Sequence, residues 1–253
     1  LNLVHLSFPE ESGESSVTLI LEAENRGERL RYICRMKPRD SEVFEDHDLL
    51  LQYQLMEIAG DNGIPVPPLV GYEADESLVG SDFYLMGFVD GQVPTDTPPY
   101  AFGSWVTELS DQQRATQWRN GLDVLARIHQ IDLSPYDTSR LPRAREGESP
   151  AQHELDKFNR LITDDIRSNM TAPLLGAVDY LNANAPVDGP RRLCWGDARP
   201  GNVIWKDLEP RAVIDWEMAS LADPLQEAGW WYWINYVNSV GLGVPRPGVL
   251  PTL

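Results

Sequence analysis

Trp195-Gly196-Asp197-Ala198-Arg199-Pro200-Gly201-Asn202, continued by Val203-Ile204-Trp205 and, after a turn, by Ala212-Val213-Ile214-Asp215-Trp216-Glu217, is the stretch whose reading decides the fold. Leu193-Trp195, Val203-Trp205 and Ala212-Trp216 are short apolar runs that read as strands. Gly196 and Gly201 make the first connection tight, and Lys206 to Glu209 can turn the chain back on itself. Asp197 then ends one strand, Asn202 lies five residues on, and Asp215 is delivered beside them. Taken singly, Asp197 is an ordinary turn residue and Asp215 an ordinary helix cap. Two carboxylates and an amide converging between buried strands suit a site.

Such a set matches the needs of phosphoryl transfer. One carboxylate orients the attacking hydroxyl and takes its proton. A second carboxylate and an amide oxygen hold magnesium, a hard cation that prefers oxygen ligands, and the metal neutralises phosphate oxygens.

Outward from this stretch, Asp223-Pro224 starts a final helix, with aspartate at the N-cap and proline at the first helical position. Upstream, Ser110-Asp111-Gln112-Gln113 is a capping box that opens a helix, with Trp118, Leu122, Leu125 and His129 at helical spacing. His129 reads as a satisfied core histidine. The spacing predicts helices over 153–169 and 173–183, after a polar loop at 134–152. The first third reads differently. Val17–Glu22 and Arg29–Met36 form a hairpin about Asn25-Arg26-Gly27-Glu28. A helix is predicted from about Glu45 to Ala59, and Ser81–Val89 is a further strand. The Pro-rich Ile64–Pro68 must be extended, because each proline restricts the residue before it.

The sequence WGDARPGN resembles the HGDxxxxN catalytic loop of the aminoglycoside phosphotransferase and choline kinase-like family, itself similar to the HRDxxxxN loop of protein kinases. VIDWEMA resembles the family's strand with the metal-binding aspartate, and ADPLQEAGWW the helix after it. DWE and ADPL look closer to the branch of kinase domains that occur beside acyl-CoA dehydrogenases and are thought to act on hydroxyacyl-CoA. The resemblance implies an α+β, bilobal protein-kinase-like fold. A small β-rich lobe (1–88) would bind nucleotide, and a larger, mostly helical lobe (89–253) would carry catalysis and the acceptor. It implies ATP and Mg2+ as cofactors and a small-molecule hydroxyl as acceptor. Asp197 would be the catalytic base, Asn202 and Asp215 the metal ligands, and Glu217 a metal contact or a structural residue. Arg199, inside the loop, would touch phosphate or substrate, or else face solvent.

The resemblance also assigns Arg35 as the phosphate-binding cation, with Lys37 as the alternative. It places Ser16 in the small-residue loop Ser12–Thr18 that covers the phosphates. Gly87 and Val89 would give main-chain contacts to adenine. Three departures stand out. Trp195 replaces the usual histidine before Gly-Asp, Arg35 replaces a lysine, and Gln52 stands where a glutamate usually pairs with that cation, Glu57 being more than a turn away. Trp230 or Tyr232 is a candidate wall of an acceptor pocket, and Arg140, Arg143 and Arg145 form a basic cluster that favours an anionic acceptor.

Composition sets the outer bounds. The 253 residues carry a formal net charge of −18, which repels a phosphate backbone and argues against nucleic acid as a partner. No apolar run approaches the ~20 residues that span a bilayer. Cys34 and Cys194 are the two cysteines, without a CxxC pair, so a reducing, cytoplasmic setting is expected. The chain starts at Leu1 without an initiator methionine and ends in the loop Pro245–Pro251, and both ends read as trimmed. Two other functions fit clustered aspartates: a nucleotide-binding regulator that has lost chemistry, and a magnesium-dependent phosphohydrolase.

Overall fold

A computed structural model describes residues 2–9, 16–37, 48–95 and 98–238. The chain opens with a five-stranded antiparallel sheet made of β1 (Asn2–Ser7), β2 (Val17–Asn25), β3 (Glu28–Met36), β4 (Leu69–Glu73) and β5 (Phe83–Gly87), in the order β1-β2-β3-β5-β4. β2 and β3 are the predicted hairpin. Arg26 and Gly27 both have positive φ (52° and 84°), the two-residue turn whose twist matches the strands. Helix α1 (Leu49–Asp61) lies between β3 and β4 and is N-capped by Asp48, whose carboxylate accepts from the Leu51 amide. Positions 38–47, where this helix was expected to begin, are outside the described residues, as are Ser12–Ser15 of the expected phosphate loop.

The remainder is mostly helical: α2 (Trp105–Glu108), α3 (Asp111–His129), α4 (Pro150–Leu161), α5 (Asp164–Asn169), α6 (Ala172–Ala183) and α7 (Pro224–Val237). The Ser110–Gln113 capping box is formed in both directions. The helix expected over 153–169 is two helices, because Thr163 breaks the first and N-caps the second. Two small antiparallel ladders sit among the helices. β6 (Arg192–Cys194) pairs with β9 (Ser220–Ala222), and β7 (Val203–Lys206) with β8 (Glu209–Val213).

One buried cluster joins both parts. Leu49, Leu55 and Ile58 of α1 and Tyr84 and Met86 of β5 share it with Ile128 of α3 and with Leu193, Trp195, Val213 and Trp216. The linkers are fastened as well. The Pro65 carbonyl accepts from Val213 N (2.8 Å), and Gln92 and Trp205 exchange main-chain bonds of 2.8 Å each. A side chain at Gly91 would strike Ile204 and the Trp205 carbonyl, so the glycine permits this crossing. The sheet is thus held directly over the β7–β8 hairpin.

Candidate active site

The loop between β6 and β7 carries the central carboxylate. Gly196 has φ +103°, and a Cβ there would overlap the Met218 carbonyl, so glycine is required both for conformation and for space. Pro200–Asn202 form a single 3-10 turn. Asn202 Nδ2 donates to Asp197 Oδ2 (2.9 Å) and to the Asp197 carbonyl (3.0 Å), and Arg199 Nε donates to Oδ2 (2.7 Å). Trp230 Nε1, from α7, donates to Oδ1 (2.8 Å). Burial raises the Asp197 pKa above the usual carboxylate value. The bonds from Trp230 and Asn202 oppose that rise, and the charges of Asp215 and Glu227 add to it.

Asp215 follows β8 at φ +64°, a left-handed conformation that a non-glycine residue seldom adopts and that marks functional turns. The turn is held from below. Ile214 N donates to the Asn202 carbonyl (3.0 Å), and Trp195 Nε1 donates to the carbonyls of Ile214 (2.9 Å) and Asp215 (3.0 Å). The tryptophan that replaces the family's histidine is 1% exposed and ties the two loops together. From above, Arg35 on β3 reaches Asp215 Oδ1 (3.4 Å) and Thr18 Oγ1 (3.3 Å). Its pKa is raised. Burial pulls it down, but Tyr84, Asp215 and Glu217 together outweigh burial. Lys37 is exposed and makes no such contact among the described residues. The Arg199 pKa is lowered by burial, against the charges of Asp215 and Glu217. Asp197, Arg199, Asn202, Asp215 and Arg35 therefore come together. The Asn202 amide faces a carboxylate with its NH2, which leaves its oxygen as the atom to offer a cation. An amide oxygen beside the Asp215 carboxylate, with Glu217 nearby, is a donor set that fits a hard divalent ion.

Other expected residues stand differently. Gln52 is buried but accepts from the Tyr84 hydroxyl (3.4 Å), not from Arg35. Tyr84, whose pKa burial pushes to about 12, stands between them. Glu57 is exposed. Ser16 is buried at the start of β2. The Gly87 amide is spent on the Pro68 carbonyl (2.7 Å), so this residue has only its carbonyl for a ligand. Two of the three arginines of the expected basic cluster are engaged within the protein. Arg140 binds Asp48 (2.6 Å), Arg143 Nε turns to the Leu141 carbonyl, and the Arg145 amide is held by Glu148.

Sequence reading missed Glu227. It is 3% exposed. One oxygen accepts from the Gly196 amide and the other meets His129 Nε2 at 2.5 Å. Cys194 lies close to both, but with each Glu227 oxygen engaged the trio reads as a brace. The signal was available: Glu227, Trp231 and Asn235 are the buried positions of α7, spaced i, i+4, i+8. An acid on a core-facing stripe needs a partner. Beside the loop is a cavity of about 680 Å³, lined by apolar groups of Phe158, Leu181, Met218, Trp230 and Trp233, with Lys157 and three carboxylates. Each carboxylate has a partner within the protein: Glu154 has Lys157, Asp223 caps α7, and Glu227 braces Gly196. Tyr232 is not among its walls.

An antiparallel sheet with one helix, set over a helical part whose WGDxxxxN loop faces an aspartate at the next strand end, defines a bilobal, protein-kinase-like phosphotransferase fold. The description of the phosphotransferase enzyme family (APH) matches residues 9–243, and the chain belongs to that family. Acyl-CoA dehydrogenase family member 11 of Gallus gallus is 25% identical over 240 residues, covering 92% of this chain and 29% of that protein. The chain thus spans less than a third of that relative. Two solved structures share the fold. The apoenzyme of macrolide 2'-phosphotransferase MphH from Brachybacterium faecium has a TM-score of 0.63 and 18% identity, covering 96% of this chain and 79% of that one. A thermostable mutant of aminoglycoside phosphotransferase APH(4)-Ia, in ternary complex with ADP and hygromycin B, has a TM-score of 0.56 and 17% identity, covering 90% and 71%. No helix among the described residues is long and apolar enough to cross a membrane.

Proposed function

We propose that this chain transfers the γ-phosphoryl group of ATP to a hydroxyl of a small molecule. Nucleotide would lie between the part formed by 1–88 and the part formed by 89–253. The observation that carries the reading is the Asp197 carboxylate held by Asn202 and by Trp230, the latter a wall of an apolar cavity. The acceptor oxygen bonds to the γ-phosphorus as the bond from that phosphorus to the ADP oxygen breaks. ADP leaves with the electron pair, and the hydroxyl proton passes to Asp197. Asn202 and Asp215 would hold magnesium, with Glu217 near, and the metal would supply neutralisation of phosphate charge. Arg35 and Arg199 would bind phosphate oxygens, Arg35 forking onto two. Ser16 and the main chain of Gly87 and Val89 would line the nucleotide side. The ADP complex of a protein with this fold supports a nucleotide donor. Two buried free cysteines fit a reducing, cytoplasmic setting.

The acceptor reading follows from the cavity. A polycationic aminoglycoside needs uncommitted carboxylates, and two of the cavity's three, Asp223 and Glu227, are engaged within the protein while the third, Glu154, has Lys157 at 3.9 Å. The walls instead suit a hydroxylated molecule with an apolar portion, neutral or anionic, and the likeness to an acyl-CoA dehydrogenase family protein points to hydroxyacyl-CoA thioesters. The test is an ATP-consumption screen over aminoglycosides, choline-like alcohols, sugars and hydroxyacyl-CoA thioesters, with product analysis. Turnover is expected to be highest on the thioesters and absent without acceptor. Efficient phosphorylation of kanamycin-type compounds alone would overturn the acceptor reading, and phosphate release to water alone would point to a hydrolase.

A further inference from the structure

The base is held by more than its own loop. A carboxylate offers about four lone-pair sites. At Asp197, Oδ2 receives Asn202 Nδ2 and Arg199 Nε, and Oδ1 receives the Trp230 indole N–H. Among the described residues that leaves the second site of Oδ1 for an acceptor hydroxyl. The carboxylate plane is set jointly by Asn202 and Arg199 on Oδ2 and by Trp230 on Oδ1, and Trp230 is the donor that shares its oxygen with the open site. Trp230 can hold Oδ1 because its helix is anchored one turn earlier: Glu227, three residues before, grips the Gly196 amide. Successive turns of α7 thus hold successive residues of the loop. The same indole is 39% exposed and forms a wall of the apolar cavity with Met218 and Trp233. One ring therefore touches both the base and the space in which the acceptor would sit.

Resting on the phosphotransfer reading, we infer that Trp230 is a positioning residue that couples the filling of the cavity to the aim of the base. A molecule packed against the exposed face of the indole limits its motion. The N–H bond to Oδ1 then holds one geometry, and the remaining lone pair meets the hydroxyl in line with the phosphate. An acceptor that leaves the cavity empty gets a looser base. Misplacement of a reacting group by a fraction of an ångström is enough to lower turnover. Phe158 on α4 and Leu181 on α6 line the cavity without a hydrogen bond to Asp197, so they bear on acceptor binding.

The test separates the two roles. Trp230→Phe keeps an apolar wall and deletes the N–H. On a medium-chain hydroxyacyl-CoA thioester it should lower kcat by roughly 10-fold while acceptor KM stays within about 2-fold. Leu181→Ala should do the reverse, raising KM with kcat preserved. The inference fails if Trp230→Phe keeps the parent kcat, or if both variants move the same constant. A second readout needs no turnover. The Trp230 indole N–H resonance, assigned by its loss in Trp230→Phe, should shift when octanol fills the cavity and should shift in Asp197→Asn. A resonance indifferent to both overturns the coupling. A parent that phosphorylates none of the screened acceptors sinks the phosphotransfer reading instead, and the resonance then decides the contact alone.

Discussion

Replacing Asp197 by asparagine tests both the chemistry and the hydrogen-bond arrangement. The native carboxylate accepts from Trp230 on one oxygen and from Asn202 and Arg199 on the other. An amide has one acceptor oxygen and one NH2, so it cannot serve both sides. Oxygen toward Asn202 and Arg199 loses one bond, and the opposite flip loses two, so the first orientation wins. The cost is then one donor-against-donor contact at a partly exposed indole, about 1–2 kcal/mol. Relief of repulsion from Asp215 and Glu227, which raise the Asp197 pKa, offsets part of it. For a chain of this size the melting temperature should fall by no more than about 6 °C. Turnover should fall by roughly 10²-fold or more, because the amide cannot take the acceptor proton. Nucleotide affinity should change little. A coupled ADP-release assay, a thermal melt and calorimetric ATP binding measure the three. A variant that turns over acceptor at the parent rate refutes Asp197 as the base, whatever its stability.

Three further outcomes are expected. Asp215→Ala should abolish the tightening of ATP binding by magnesium, since Asn202 alone is a neutral ligand; an unchanged magnesium effect in calorimetry places the metal elsewhere. Gly196→Ala should cost at least about 2 kcal/mol in urea unfolding and remove turnover, because φ +103° and the Met218 carbonyl both exclude a side chain. Trp195→Phe keeps the apolar body but frees the Ile214 and Asp215 carbonyls. It should cost about 1 kcal/mol and weaken magnesium binding, which a magnesium titration of nucleotide affinity would detect.

The parts that were legible in sequence are those where local chemistry leaves one choice. WGDARPGN needs its glycine, and Asp215 ends an apolar strand, so both could be placed before any contact was known. The Arg26-Gly27 turn and the Ser110–Gln113 box are likewise local. What could not be read is direction. β1 is an exposed edge strand with no inward face, so no alternation announces it, and β9 has three residues. That Arg140 is taken up by Asp48 and Arg143 by the Leu141 carbonyl is not told by spacing along a loop. Residues 230–233 are aromatic on every side of α7, so periodicity could not tell the ring that touches Asp197 from Trp231, which fills the core. Gln52 was placed in its helix, but Tyr84 is 32 residues away in sequence, and only the paired sheet shows it standing between Gln52 and Arg35.

Four of the eight tryptophans brace loop oxygens in this arrangement. Trp195 donates to the carbonyls of Ile214 and Asp215, Trp205 to Pro200 (3.1 Å), Trp216 to Val213 (3.2 Å) and Trp230 to Asp197. Each indole contributes one donor on a large apolar body, so Trp195, Trp205 and Trp216 fill the core beneath a loop and fix an oxygen of that loop with the same side chain. Loops that present carboxylates toward solvent have few apolar atoms of their own, and their main-chain carbonyls are exposed to the low-dielectric core on the inner side, where an unpaired oxygen is costly. A histidine could donate one such bond, but it titrates near neutral pH and would bring a variable charge next to Asp197 and Asp215. An indole does not titrate. The tryptophan at position 195 therefore keeps its own hold on the Asp215 turn independent of pH.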